Sequence, residues 1–247
     1  MHSIALVSDI HGNVLALRAV YDDIQKRNVE KIINLGDHVS GPLWPKETVQ
    51  FLMSTNWIHV LGNHDRQLTM DEPITHGESD SFAFNCLDLY ELTWLSKLPS
   101  KITMDNTIMA FHGSPDNDLM YLLETIENKR THLSSREEIL KKLNGNKYPI
   151  IVCGHSHKPR CIQITKETMI INPGSVGLQG YTDTGENPHV VDVGSPHARY
   201  AIIHHNDDKI EVEFINVAYN WEEAAEKSKQ AKRADWTNAL ETGFCYS

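Results

Sequence analysis

The run Ile150-Ile151-Val152-Cys153 reads as a buried strand, and across Gly154 it presents two imidazoles, His155 and His157. The same habit recurs along the chain, and it limits the available folds more than any other feature. An apolar run at 3–8 ends in Asp9-Ile10-His11-Gly12-Asn13. A predicted strand at 31–35 ends in Gly36-Asp37, and one at 57–61 ends in Gly62-Asn63-His64-Asp65. Further on, 107–111 ends in His112 and 169–171 ends in Asn172-Pro173-Gly174-Ser175. Between the early strands the spacing predicts helices. One covers 14–27, with Leu15, Leu17, Val20, Tyr21 and Ile24 on one face, and another covers 45–53, opened by proline. Strand alternating with helix implies mainly parallel pairing and a functional crevice beyond the carboxyl ends of the strands. At least five strand ends then deliver oxygen or imidazole donors to that edge, and neighbouring glycines let the backbone turn sharply.

The rest of the chain fits around this frame. Helices are expected at 118–129 and 134–143, the latter opening on Ser134-Ser135-Arg136-Glu137 as a capping box. Residues 71–82, with Asp71, Glu72 and Glu78, read as a solvated acidic loop or cap rim. Alternation at 210–217 and an Ala/Glu/Lys-rich helix at about 221–240 close the sequence. A length of 247 residues, 40% of them hydrophobic, allows a full core. A single domain over 1–247 is expected, with a cap or insert at about 66–105. A net charge of −10 argues against binding a nucleic-acid duplex through its phosphates. No apolar run approaches the length of a membrane span. The chain enters a strand directly after Met1, without a basic leader, and its four cysteines show no paired spacing. A cytoplasmic location with reduced thiols is the expectation. Oligomeric state is not readable.

The donors form one set: Asp9, His11, Asp37, Asn63, His112, His155 and His157, with His64 beside them. Oxygen and imidazole donors without thiolates suit Mn, Fe or Zn. They are too many for one tetrahedral ion and suit two metals that share a carboxylate. His2, His59, His76, His132, His189, His197, His204 and His205 are read as ordinary surface or core histidines. His38, next to Asp37, could face the cleft.

Asp9-Ile10-His11, Gly36-Asp37, Gly62-Asn63-His64-Asp65, His112 and Gly154-His155-Ser156-His157 resemble, in order, the five motifs of calcineurin-like metallophosphoesterases. The Asn172–Ser175 turn is similar to that of the small bacterial and archaeal branch. The resemblance implies an α/β fold, a four-layer α-β-β-α sandwich of two mixed sheets with a dinuclear metal site at the strand C-termini. It implies Asp9, His11, Asp37 and His157 around one metal, and Asp37, Asn63, His112 and His155 around the other, with Asp37 bridging. His64 stands where the family's leaving-group histidine stands, and Asp65 where its orienting carboxylate stands. Asn13 is either a substrate contact or purely structural. The second motif departs from the pattern, because Ser40 takes the place of a second aspartate and no arginine follows. Arg66 is the candidate to replace that missing phosphate clamp.

Phosphate esters resist hydrolysis because their negative oxygens repel hydroxide. Two cations about 3.5–4 Å apart offset that repulsion and acidify a bridging water for in-line attack. The implied function is a dinuclear hydrolase of small phosphodiesters or nucleotides, dinucleoside polyphosphates among them. Its two divalent or trivalent ions would be Mn or Fe ahead of Zn or Ni. A phosphoprotein phosphatase is the first alternative, and a non-catalytic scaffold or metal-bound regulatory protein the second. The missing arginine clamp tells against the phosphoprotein reading, and the presence of His64 against the non-catalytic one. Phe82, Phe84, Tyr90 and Trp94 are expected to cover the site or the adjacent helical face.

Overall fold

A computed structural model of the chain describes residues 2–70, 77–206 and 209–245. One sheet contains β1 (His2–Val7), β2 (Lys31–Asn34), β3 (Ile58–His59), β13 (Ala198–His205) and β14 (Ile210–Val217), in the order β14-β13-β1-β2-β3. The second contains β4 (Lys101–Met104), β5 (Ile108–Phe111), β8 (Ile150–Val152), β9 (Arg160–Gln163) and β10 (Met169–Asn172), in the order β4-β5-β8-β10-β9. Each is mixed and holds a parallel trio, β1-β2-β3 or β5-β8-β10. In the first sheet the antiparallel pair β13 and β14 extends the trio on the β1 side, and in the second an antiparallel strand flanks it on each side.

Alternate side chains of these strands enter different layers, as a period of two requires. Ile4, Leu6, Ile33, Ala201 and Ile203 of the first sheet share one core with Ile108, Ala110, Ile150, Val152 and Ile171 of the second. On the opposite face of the first sheet, Ala5, Val7, Tyr200 and Ile202 pack on helix α1 (Val14–Ile24) and on Leu52 of α2 (Pro45–Met53). On the opposite face of the second, Met109, Ile151 and Ile170 pack on Ile139 of α6 (Arg136–Lys142). The layers therefore run helix, sheet, sheet, helix, as expected. Strands buried on both faces explain the near-continuous apolar runs in the sequence.

Several elements differ from expectation. Residues 118–129 are not a helix. Glu124–Glu127 is strand β6, paired with β7 (Arg130–Leu133) through Asn128 and Lys129, both left-handed at φ 51° and 59°. A two-residue turn with both φ positive matches the twist of a hairpin, and it outweighs the weak helical spacing. β6 and β7 join β11 (Gly180–Asp183) and β12 (His189–Asp192) in a third, four-stranded sheet that the sequence reading lacked. The capping box is formed by Ser135 and Glu138, one residue later than the expected pair. The expected C-terminal helix is two, α7 (Trp221–Gln230) and α8 (Ala234–Thr242), broken at Lys232 with φ 59°. Of the expected acidic loop, 71–76, including Asp71, Glu72 and His76, lies outside the described residues. Glu78–Cys86 is helix α4, not loop. With α3 (Asn63–Leu68) and α5 (Leu89–Ser96), α4 packs around Val39, Val49, Leu68, Ala83 and Leu95. Trp94 joins this core, while Tyr90 is largely exposed. No helix among the described residues is long and apolar enough to cross a membrane.

Behind the strand ends lies a buried imidazole pair. His59 Nδ1 sits 3.3 Å from His38 Nε2, and His59 Nε2 has no partner among the described residues. Burial, then the neighbouring His38, pushes the His59 pKa down to about 3. Below its ordinary value of 6.5, an unfolded His59 takes up a proton that the folded one refuses. This term therefore costs stability as pH falls from about 6.5 toward about 3, by at most ~1.4 kcal/mol per pH unit. His59→Gln is expected to lose less stability than wild type between pH 6.5 and 4. Urea unfolding of both proteins in chelator checks this, and parallel slopes would contradict it.

Candidate active site

Five of the expected ligand residues hold left-handed backbone: Asp9, His11, Asp37, His155 and His157, with φ between 51° and 67°. For residues with a Cβ this costs of order 1–3 kcal/mol each and persists only where the surroundings fix it. Here the loops fix one another. Asp9 N–H donates to Gly36 O, His11 N–H to Asp37 O, and Gly12 N–H to His38 O, each at 3.0 Å. Gly154 N–H donates to His112 O at 2.7 Å. The Asn172–Ser175 turn ties the remainder together. Asn172 Nδ2 donates to Gly154 O (2.7 Å) and Ser156 Oγ (3.1 Å), and Ser175 Oγ donates to Asp9 O (2.8 Å). Gly62 is needed for approach, since a Cβ there would lie 2.2 Å from Asp37 Oδ1.

These loops bring the seven expected ligands together at one edge of the two sheets. Asp9, His11 and His157 offer atoms within 4.8 Å of one another, and so do Asp37, His112 and His155. Asn63 joins the second group with Oδ1 3.1 Å from His112 Nε2. Asp37 lies between the groups, its Oδ2 3.2 Å from His112 Nε2 and 3.9 Å from His11 Nε2. Asp9, Asp37, His11, Asn63, His112 and His157 are buried.

Three imidazoles are oriented in the same way. His11 Nδ1 donates to Ser40 O, His112 Nδ1 to Leu35 O and His157 Nδ1 to Leu178 O, at 2.8, 2.8 and 2.7 Å. A carbonyl only accepts, so each neutral ring carries its proton on Nδ1 and turns a bare Nε2 into the site. His11 Nε2 and His157 Nε2 then face each other at 3.1 Å, lone pair to lone pair. Asp9 Oδ1 is buried and accepts no hydrogen bond among the described residues. A cation satisfies both features at once, and the residues fit two metal ions.

Electrostatics agree for the two carboxylates, His11 and His155, whereas His112 carries a proton that a bound cation would displace. Burial alone would raise Asp37, but the charges of His112 and His64 hold its pKa well below the carboxylate range. Burial would also raise Asp9, which His157 and His112 bring down to about 2. Burial, then like-charge repulsion from His157, lowers His11 to about 4; burial and His112 lower His155 to about 3. Burial opposes charge on His112 and His64, yet Asp37 and its neighbours lift them to about 10 and about 9.

Four expected roles need correction or refinement. Asp65 does not orient His64. Its carboxylate accepts from the N–H groups of Asp37 (2.9 Å), His38 (2.9 Å) and Gly62 (3.0 Å) and pairs with His38 Nδ1 at 2.7 Å. Residues i and i+1 of a helix point in different directions, so neighbours in α3 cannot meet. His64 Nδ1 instead meets Asp80 Oδ1 at 2.8 Å. Asn13 is structural. It is fully buried, caps α1 through Ala16 N–H, and donates to Gly177 O and Tyr219 Oη. His38 is fully buried, and both its ring nitrogens are taken up behind the site, Nδ1 by Asp65 and Nε2 by His59. Arg66 forks onto Asp118 at 2.6 and 2.9 Å with its side chain 35% exposed.

Sequence reasoning missed the walls of the site. The Tyr121 ring lies 4.7 Å from that of His155, and the Tyr181 ring 4.7 Å from that of His157, with the two hydroxyls hydrogen-bonded. Trp236 of α8 stands edge-on to His11 at 6.0 Å. The absence of an acid at Ser40 was the single signal that a carboxylate had to come from elsewhere.

Comparison with known proteins places this geometry. Residues 2–195 match the family model of the calcineurin-like phosphoesterase superfamily domain. An uncharacterized protein of Methanocaldococcus jannaschii is 27% identical over 249 residues, 94% of each chain. The crystal structure of a metallophosphoesterase from Sphaerobacter thermophilus superposes with a TM-score of 0.72 at 24% identity, covering 96% of this chain and 98% of that one. A hypothetical protein from Pyrococcus horikoshii OT3 gives a TM-score of 0.76 at 18% identity, with both chains fully covered. With its motifs at the strand ends and its family model spanning most of the sequence, the chain belongs to the calcineurin-like phosphoesterase superfamily.

Proposed function

We propose that the protein hydrolyses small phosphodiesters or nucleotides, dinucleoside polyphosphates among them, at a centre of two metal ions. The observation that carries this reading is Asp37, buried between two ligand groups with His64 beside it. Asp9, His11, Asp37 and His157 would hold one ion, and Asp37, Asn63, His112 and His155 the other. When bound, the pair supplies a nucleophile at neutral pH and offsets the charge of the phosphate oxygens. Nitrogen and oxygen donors without thiolates are compatible with Mn, Fe, Zn and Ni, and the ions proposed are Mn or Fe ahead of Zn or Ni.

The chain's own groups do the rest. Asp37 fixes the spacing of the two groups and, through Oδ1, accepts the N–H of His64 at 3.0 Å, which sets that residue against the site. His64 keeps Nε2 free of hydrogen bonds among the described residues and delivers a proton to the leaving oxygen from it. Arg66, half-exposed on its Asp118 partner, is the candidate contact for a phosphate oxygen. Four free cysteines support a reducing, cytoplasmic setting.

The test is hydrolysis of bis(p-nitrophenyl) phosphate by Mn-reconstituted protein, beside p-nitrophenyl phosphate, diadenosine tetraphosphate and a phosphopeptide. The expected result is turnover of the diester or the dinucleotide, abolished by chelator and restored by metal. Preference for the phosphopeptide would turn the reading to a protein phosphatase. Inactivity with both ions bound, after Fe, Zn and Ni have also been loaded, would turn it to a scaffold.

A further inference from the structure

Asp80 is the third residue of α4, a position from which an acid ordinarily reaches back to the N–H groups that open its own helix. The chain does this elsewhere: Glu91 closes such a box at α5 and Glu138 at α6. Among the described residues Asp80 makes no such bond. Its side chain turns away from its own helix, and Oδ1 takes His64 Nδ1 at 2.8 Å and Ser40 Oγ at 2.5 Å. The residue is 5% exposed, and no lysine or arginine among the described residues pairs with it, so its counter-group is the imidazole. Burying a carboxylate is costly unless it is paired, so Asp80 depends on His64, and α4 gives up a cap as well.

The helix is itself anchored. Arg233, between α7 and α8, donates from Nη1 to Ser79 Oγ at 2.9 Å and lies 3.4 Å from Glu78. Its guanidinium also stands 5.8 Å over the Trp236 ring, the ring that borders His11. The C-terminal hairpin thus fastens both α4 and the metal-ligand edge.

We propose that Asp80 is the positioning residue for His64, with Ser40 and Arg233 holding it in place, which rests on the leaving-group role proposed above. By taking Nδ1–H, Asp80 fixes the ring so that Nε2 is the nitrogen that exchanges a proton with the leaving oxygen. The carboxylate missing from position 40 is thereby supplied by a segment 40 residues further on, and Ser40 completes the contact instead of duplicating it.

The test uses the metal-loaded full chain and two diesters that differ in their leaving group, p-nitrophenol and phenol. Asp80→Asn is expected to lower kcat for the phenyl ester by ~10–100-fold, with a much smaller loss for the p-nitrophenyl ester, whose departing oxygen needs little proton help. Bound metal should be unchanged, and Asp80→Glu should restore part of the phenyl-ester rate. Ser40→Ala, which leaves α4 intact, should give a smaller loss with the same selectivity. In the zinc-loaded protein, a downfield Nδ1–H proton resonance that disappears in His64→Gln should also disappear in Asp80→Asn. An equal loss for both esters, or a resonance that survives Asp80→Asn, would overturn the proposal. Should wild type turn over neither ester, the hydrolase reading fails, and the resonance alone still decides the Asp80–His64 pair.

Discussion

Asp37→Asn is expected to abolish turnover and to lower the number of metal ions held per chain. The substitution keeps the Oδ1 atom that accepts His64 N–H, so the local fold has little reason to change. What it removes is a charge that faces both ligand groups, His112 at 3.2 Å and His11 at 3.9 Å. Losing a mere hydrogen-bond partner of a ligand costs ~10–100-fold in affinity or activity. Losing a ligand shared by two ions should exceed that, by ~10³-fold or more in kcat/KM. Metal content after gel filtration, read beside activity, checks it. A variant that retained both ions and its rate would remove Asp37 from the centre.

His64→Gln is expected to separate chemistry from metal binding. His64 belongs to neither ligand group, and its Nδ1 is engaged by Asp80. The variant should therefore keep its metals while losing ~10²–10⁴-fold in kcat, the usual worth of general acid help. The loss should be largest for esters with poor leaving groups and small for p-nitrophenyl esters. KM should change little, because the ring acts on the departing oxygen and not on the ground-state phosphate. A wild-type rate on the poor ester would show that the leaving group departs unaided, and a drop in metal content would show a structural role instead.

All seven candidate ligand positions were legible in the sequence because each lies in the short segment that follows its strand. A buried parallel strand is an apolar run, it stops at a glycine, and what comes next sits at the edge of the sheet. The four layers were legible for the same reason. Contacts that cross the chain were not. Asp65 adjoins His64 in sequence, which reads as contact, but a helix sends neighbours apart and hands His64 to Asp80, 16 positions on. Nothing in the local sequence separates Asp80 from Glu78, which the fold leaves at the surface. The strand Ala198–His205 carries an apolar run too short for periodicity to tell strand from helix, yet it pairs β1 with β14 in the middle of a sheet. The hairpin of β6 and β7 was hidden because Asn128 and Lys129 form its turn without a glycine.

The measurement that bears most directly on the central claim is a titration of metal-free protein with Mn²⁺. Bound metal is counted by equilibrium dialysis while hydrolysis of bis(p-nitrophenyl) phosphate is followed in the same samples. If Asp37 joins two working sites, the chain will take up two ions and turnover will rise with the second. Full turnover with a single ion per chain would contradict a dinuclear centre.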